Sequence, residues 1–130
     1  MANPNIVNVT SITAGTLGWN LGTGGLANLI SPSSNYLLKI NRIVVANVDG
    51  SAAADVDIAI TTSSQSFTNT TVTGADATAY LAKTISVPAD ASLVISDTPI
   101  YLRESDILKA NASAASDLDL TITFELLTDQ

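Results

Sequence analysis

Leu118-Asp119-Leu120-Thr121-Ile122-Thr123-Phe124-Glu125-Leu126 decides the fold class of this chain. Every second residue is apolar and those between are hydroxylic or carboxylic, so an extended strand carries five apolar side chains on one face. If all five are buried at about 1.5–3 kcal/mol each, the segment contributes roughly 7–15 kcal/mol before chain entropy is subtracted. It is therefore expected in the middle of a sheet. A slip of one residue would turn Asp119 and Glu125 into the core, which specifies the register strongly.

The same period governs much of the chain upstream. In residues 36–48 Leu38, Ile40, Val44 and Val48 share one parity while Ile43 and Val45 take the other. The end of this strand is thus apolar on both faces, as at a doubly covered position or a subunit contact. Asn47-Val48-Asp49-Gly50-Ser51 has turn chemistry, and Val56, Ile58 and Ile60 resume the alternation, so an antiparallel hairpin is expected here. Residues 63–78 form a long polar loop with Phe67 and Val72 as its apolar anchors. Further strands are expected at residues 80–87, ended by Pro88, at Leu93 and Ile95, at residues 99–102 and at residues 107–112. The small-residue loop of residues 111–116 is expected to close a hairpin onto the last strand.

The first 35 residues differ in kind, holding Gly15, Gly18, Gly22, Gly24 and Gly25 of the seven glycines in the chain. Val7, Val9 and Ile12 fit one strand, and the segment around Trp19 reads as irregular. Residues 1–35 are therefore expected to be an N-terminal arm that orders against a neighbour, and residues 36–130 the folded domain. No stretch carries a sustained helical period with caps. About eight short strands separated by turn signals point to an all-β, antiparallel sandwich of jelly-roll type.

Composition narrows the chemistry. The chain has 130 residues, no histidine and no cysteine, which removes imidazole acid-base work, Ser-His and Cys-His nucleophiles, disulfides and nearly every zinc site. Acid pairs at Asp55 and Asp57, Glu104 and Asp106, and Asp117 and Asp119 offer oxygens to a hard cation, but none has the loop spacing of a calcium motif. Solvated charge at strand edges that discourages stacking is the better reading of them. Two carboxylates also suffice for glycoside hydrolysis, yet aromatic platforms are scarce, with one Trp and three Tyr. Gly22-Thr23-Gly24-Gly25 lacks the strand, helix and lysine of a phosphate loop. The expectation is no enzyme, no cofactor and no metal.

Twelve acids against five bases give a net charge of -7, but only 13% of residues are charged while 46% are hydrophobic. A surface so short of charge must be finished with Ser, Thr, Asn and Ala, as suits a surface covered by neighbours. A stable acidic monomer is the competing reading. The scattered bases Lys39, Arg42, Lys83, Arg103 and Lys109 do not make a nucleic-acid patch. Neither a signal-peptide start nor an apolar run of about 20 residues occurs, so no membrane partner is expected and the chain is expected to be made in a cytoplasm. The apolar residues of the arm and the long loop, Trp19, Leu21, Leu26, Ile30 and Phe67, are the candidates for contact with a partner, Trp19 as an anchor in an apolar groove.

The runs NPNIVNVT (residues 3–10), KINRIVVANVDGS (39–51), YLAKTISVPADASLVI (80–95), Ile100-Tyr101-Leu102 and ASAASDL (112–118) carry a resemblance. Taken together they are similar to small virion structural proteins of contractile-tailed bacteriophages that infect cyanobacteria. The resemblance covers most of residues 1–12 and 36–127, through strand and turn patterns rather than catalytic signatures. Residues 15–35 and 63–78 do not share it. It implies a β-sandwich building block of the virion, made in the host cytoplasm. Its leading place is a capsid decoration or cement protein that binds the assembled head, through the major capsid protein, as a homo-oligomer, with a trimer favoured. A neck, collar or tail position fits the same resemblance. A carbohydrate-binding or host-attachment module, using the long loop with Trp19 or Tyr80, is the alternative of another class.

Overall fold

The computed structural model describes residues 8–63, 67, 69–75 and 77–129. Nine strands run in chain order: β1 (Ser11–Asn20), β2 (Ala27–Ile30), β3 (Leu37–Asn47), β4 (Ala54–Thr61), β5 (Thr78–Val87), β6 (Ser92–Ser96), β7 (Ile100–Leu102), β8 (Ile107–Ala112) and β9 (Leu118–Thr128). They form two antiparallel sheets. In the first the order is β1-β9-β3-β6, with β7 also on β3; in the second it is β2-β8-β4-β5. β7 pairs with Leu38, Lys39 and Ile40 and β6 with the stretch from Ile43 to Ala46. These two strands thus lie end to end along one edge of β3, so nine segments occupy eight positions. The pairs β1 with β9, β2 with β8, β3 with β6 and β7, and β4 with β5 nest inside one another across two four-column sheets, which is the jelly-roll arrangement.

The strand that decided the fold class is central, held between β1 and β3. Leu118, Leu120 and Ile122 are fully buried, and Phe124 and Leu126 pack half-buried against the same core. Opposite them the second sheet contributes Val56, Ile58, Leu108 and Ala110. One continuous apolar layer between two faces of alternating strands is what makes this a sandwich.

The doubly apolar end of β3 has a local cause. Its pairing with β9 shifts between Ile40 and Arg42, so Asn41 is an extra residue, and a bulge of this kind exchanges the faces of everything beyond it. Leu38 and Ile40 face the core before the bulge, Ile43 and Val45 after it, and Val48 is exposed. No second cover is needed to explain the pattern.

The two expected hairpins are not formed. β3 and β4 belong to different sheets, as do β8 and β9. Both edges of β3 are already filled, by β9 on one side and by β6 and β7 on the other, so the chain must cross the core to bury the apolar face of β4. Buried Asn47 fixes that crossing: its amide donates to the carbonyls of Ala52 (3.0 Å) and Val87 (2.9 Å), and its oxygen accepts the Asp49 N–H (2.9 Å). At the second crossing Ser113 N–H donates to the Asp55 carbonyl (2.9 Å) while Ser113 Oγ accepts the Asp55 N–H (2.8 Å).

Residues 11–20 and 27–30 are likewise regular strands, and only the six residues between them are irregular. β1 runs beside β9 without interruption from Ser11 opposite Thr128 to Asn20 opposite Asp119, and β2 pairs with β8. The break expected at residue 35 is a turn in which Tyr36 N–H donates to the Ser33 carbonyl (3.1 Å). Of the strand expected at Val7, Val9 and Ile12, only Ile12 lies in β1; Val7 falls outside the described residues. Gly15 shows why a glycine-bearing segment makes a good strand here. A Cβ at this position would stand 2.9 Å from Cζ of Phe124 on the neighbouring strand, so the aromatic ring takes the place of the missing side chain.

Candidate functional site

The turn between β2 and β3 overhangs the end of the first sheet and leaves an open cleft of about 430 Å³. Ile30, Pro32, Leu38 and Leu126 supply its apolar walls, and the hydroxyls of Thr13, Ser31, Ser33 and Tyr36 its rim. The turn is held by Asn35, which takes φ 71°, and its carbonyl accepts a hydrogen bond from Thr128 Oγ1 (3.1 Å). Asparagine tolerates that left-handed backbone better than most residues. No carboxylate or amine lines this cleft. Its lining is apolar walls with neutral donors and acceptors, with no group placed to move a proton.

The five expected contact residues do not gather there. Only Ile30 lines the cleft. Leu21 is 3% exposed and part of the core, its N–H bonded to the Leu118 carbonyl at 2.9 Å; it is a structural residue and has no surface to offer. Trp19 packs half-buried on that core from β1, so it anchors the segment in the domain's own interior rather than in a neighbour. Leu26 is half-buried just before β2. Phe67 is 48% exposed and lies under the Arg103 guanidinium, 4.5 Å from the ring centroid, a cation-π contact. Val72 is exposed as well, so neither residue anchors the loop in the core.

One member of each acid pair, Asp57, Asp106 and Asp119, acts as a structural acceptor. Asp57 Oδ1 accepts the Thr84 N–H at 2.7 Å, and its Oδ2 lies 3.8 Å from Lys83 Nζ. Asp119 Oδ1 accepts from the Asn20 amide at 2.6 Å. Asp106 is not a solvated edge charge: it is 3% exposed and its oxygens accept the N–H groups of Ser63 (3.3 Å) and Arg103 (2.9 Å). Among the described residues no group of three or more His, Cys, Asp or Glu side chains is placed to hold a metal ion.

Sequence reasoning missed the cleft because its lining comes from four separate stretches. Pro32 between two serines was the one local sign of a shaped turn. The outer faces of the sandwich carry the rest of the accessible surface, and they are sparsely charged. On the first sheet Lys39 meets Glu125 at 3.6 Å amid Thr121, Thr123, Val94 and Tyr101. On the second, Lys83 lies 4.6 Å above the Tyr80 ring. No protein-family model matches this sequence and no curated protein matches it.

Proposed function

We propose that this chain is a structural protein of a bacteriophage virion, a decoration or cement protein that binds the assembled head in many copies as a homo-oligomer. The observation that carries this reading is the surface. The described residues expose Ile12, Leu17, Val48, Phe67, Val72, Tyr80, Leu81, Ile85, Val94 and Tyr101 among others, on a chain with only 13% charged residues. So little charge beside these exposed apolar side chains suits a surface that neighbours cover. A jelly roll contributes rigid shape, and the resemblance of residues 39–51 and 80–95 to virion proteins of cyanobacterial phages supplies the context. The neck, collar and tail call for the same chemistry.

Co-sedimentation of the purified protein with assembled heads tests the reading, followed by cryo-electron microscopy of the decorated particle. Saturable binding at a symmetry-related set of sites on the shell is the expected result. Binding to necks or tails alone would move the protein along the virion. A protein that ignores every virion part yet retains glycans on an array would replace this reading with the sugar-binding one.

A further inference from the structure

Among the described residues the sandwich has four open edges, and three of them are blunted. β5 is broken by register shifts beside Val56 and Ile58, holds Thr84 at φ 52° and carries Lys83. β6 and β7 are five and three residues long, with Pro99 between them. β2 has four residues and a register shift. These are the devices by which sheet edges avoid pairing with other chains. β1 has none of them. Its ten residues, SITAGTLGWN, include no charge and no proline, its register is unbroken, and Ile12 and Leu17 are 57% and 41% exposed.

We infer that β1 pairs antiparallel with β1 of a second copy about a twofold axis, joining the two first sheets into one. The inference rests on the reading of the chain as a multi-copy building block and names the surface by which copies meet. Leu21 N–H donates to Leu118, and hydrogen-bonded positions alternate along an antiparallel ladder. The odd residues of β1 therefore turn their backbone groups to β9, and Ile12, Ala14, Thr16 and Gly18 turn theirs to the open edge. A twofold perpendicular to the sheet places like parity opposite like parity. Centred on Gly15, it sets Ala14 against Thr16 and Ile12 against Gly18 and forms about eight new backbone hydrogen bonds. Gly15 then faces its own symmetry mate, where side chains come closest, and the Phe124 rings already fill the space beneath both glycines. With no ionisable group in the strand, the pairing brings no like charges into cross-strand contact.

The chain contains no cysteine, which makes the test clean. Single variants Ala14→Cys and Thr16→Cys are purified, mixed and oxidised; opposed positions of a strand pair lie within disulfide reach. The expected result is a cross-linked dimer in the mixture at several times the yield of either variant alone, and a wild type that sediments as a dimer at micromolar concentration. Thr16→Pro, which removes only an outward-facing N–H, is expected to sediment as a monomer with an unchanged circular dichroism spectrum. A folded mixture without the preferred cross-link overturns the inference, as does a Thr16→Pro protein that remains dimeric. A monomeric wild type that still co-sediments with heads refutes the edge pairing and leaves the virion reading standing. A dimer that binds no virion part refutes the virion reading alone.

Discussion

Replacing Gly15 with alanine tests the packing of β1 on β9. Gly15 has no left-handed backbone conformation among the glycines that do, so alanine is acceptable to the chain and by itself gains about 0.5–1 kcal/mol over glycine in a strand. Against that, the new Cβ would stand 2.9 Å from Cζ and 3.2 Å from Cε1 of Phe124, and the ring is packed half-buried against the core. Displacing a packed group typically costs about 1–3 kcal/mol. Gly15→Ala is therefore expected to be destabilising by about 0.5–2 kcal/mol, the sign being set by the ring. In a Phe124→Leu background the ring is gone, and the same substitution is expected to be neutral or stabilising. Urea unfolding of the four proteins of this cycle, compared at constant m, gives a coupling expected at about 1–3 kcal/mol. A coupling below about 0.5 kcal/mol would refute the claim that the ring stands in for the missing side chain.

Ile122→Ala removes three carbons from a side chain with no exposure at the centre of the first sheet; transfer and cavity terms together predict a loss of about 3–4 kcal/mol by the same unfolding assay. Asn47→Ala leaves the Ala52 and Val87 carbonyls without their donor at the first crossing between sheets, and is expected to cost about 2–3 kcal/mol. Asn47→Asp, which keeps the shape but loses both donated bonds, is expected to do no better, and a protein stabilised by either change would show that this amide does not organise the crossing.

Alternation is a property of neighbouring residues, and so the strand at Leu118 to Leu126, its central place and the all-β class were legible in the sequence. The turn after Pro88 and the short strand that follows it were legible for the same reason, since its backbone demand is local. Strand partners are another matter. Thr10 reaches the Thr128 carbonyl across 118 positions of chain, and no local pattern announces that a glycine-bearing segment will bury Trp19 and Leu21 against β9. The bulge at Asn41, which reverses the faces of β3, and the crossings that send β4 and β9 to the opposite sheet arise only when each apolar face must find its cover.

Surface function divided along the same line. The shortage of charge and the lack of imidazole and thiol were plain from composition, and they describe what the surface can do. Which residues stand on that surface was decided by the tertiary structure, because burial depends on what packs above a side chain: Leu21 went inside, Ile30 went to the wall of a cleft, and among the described residues β1 was left as a long, unblunted edge. The sequence by itself determined the alternating strands from residue 36 onward and the chemistry they carry; tertiary structure alone made strands of the glycine-bearing segment before them and decided every strand's partners, since pairing is settled by the burial of faces that lie far apart along the chain.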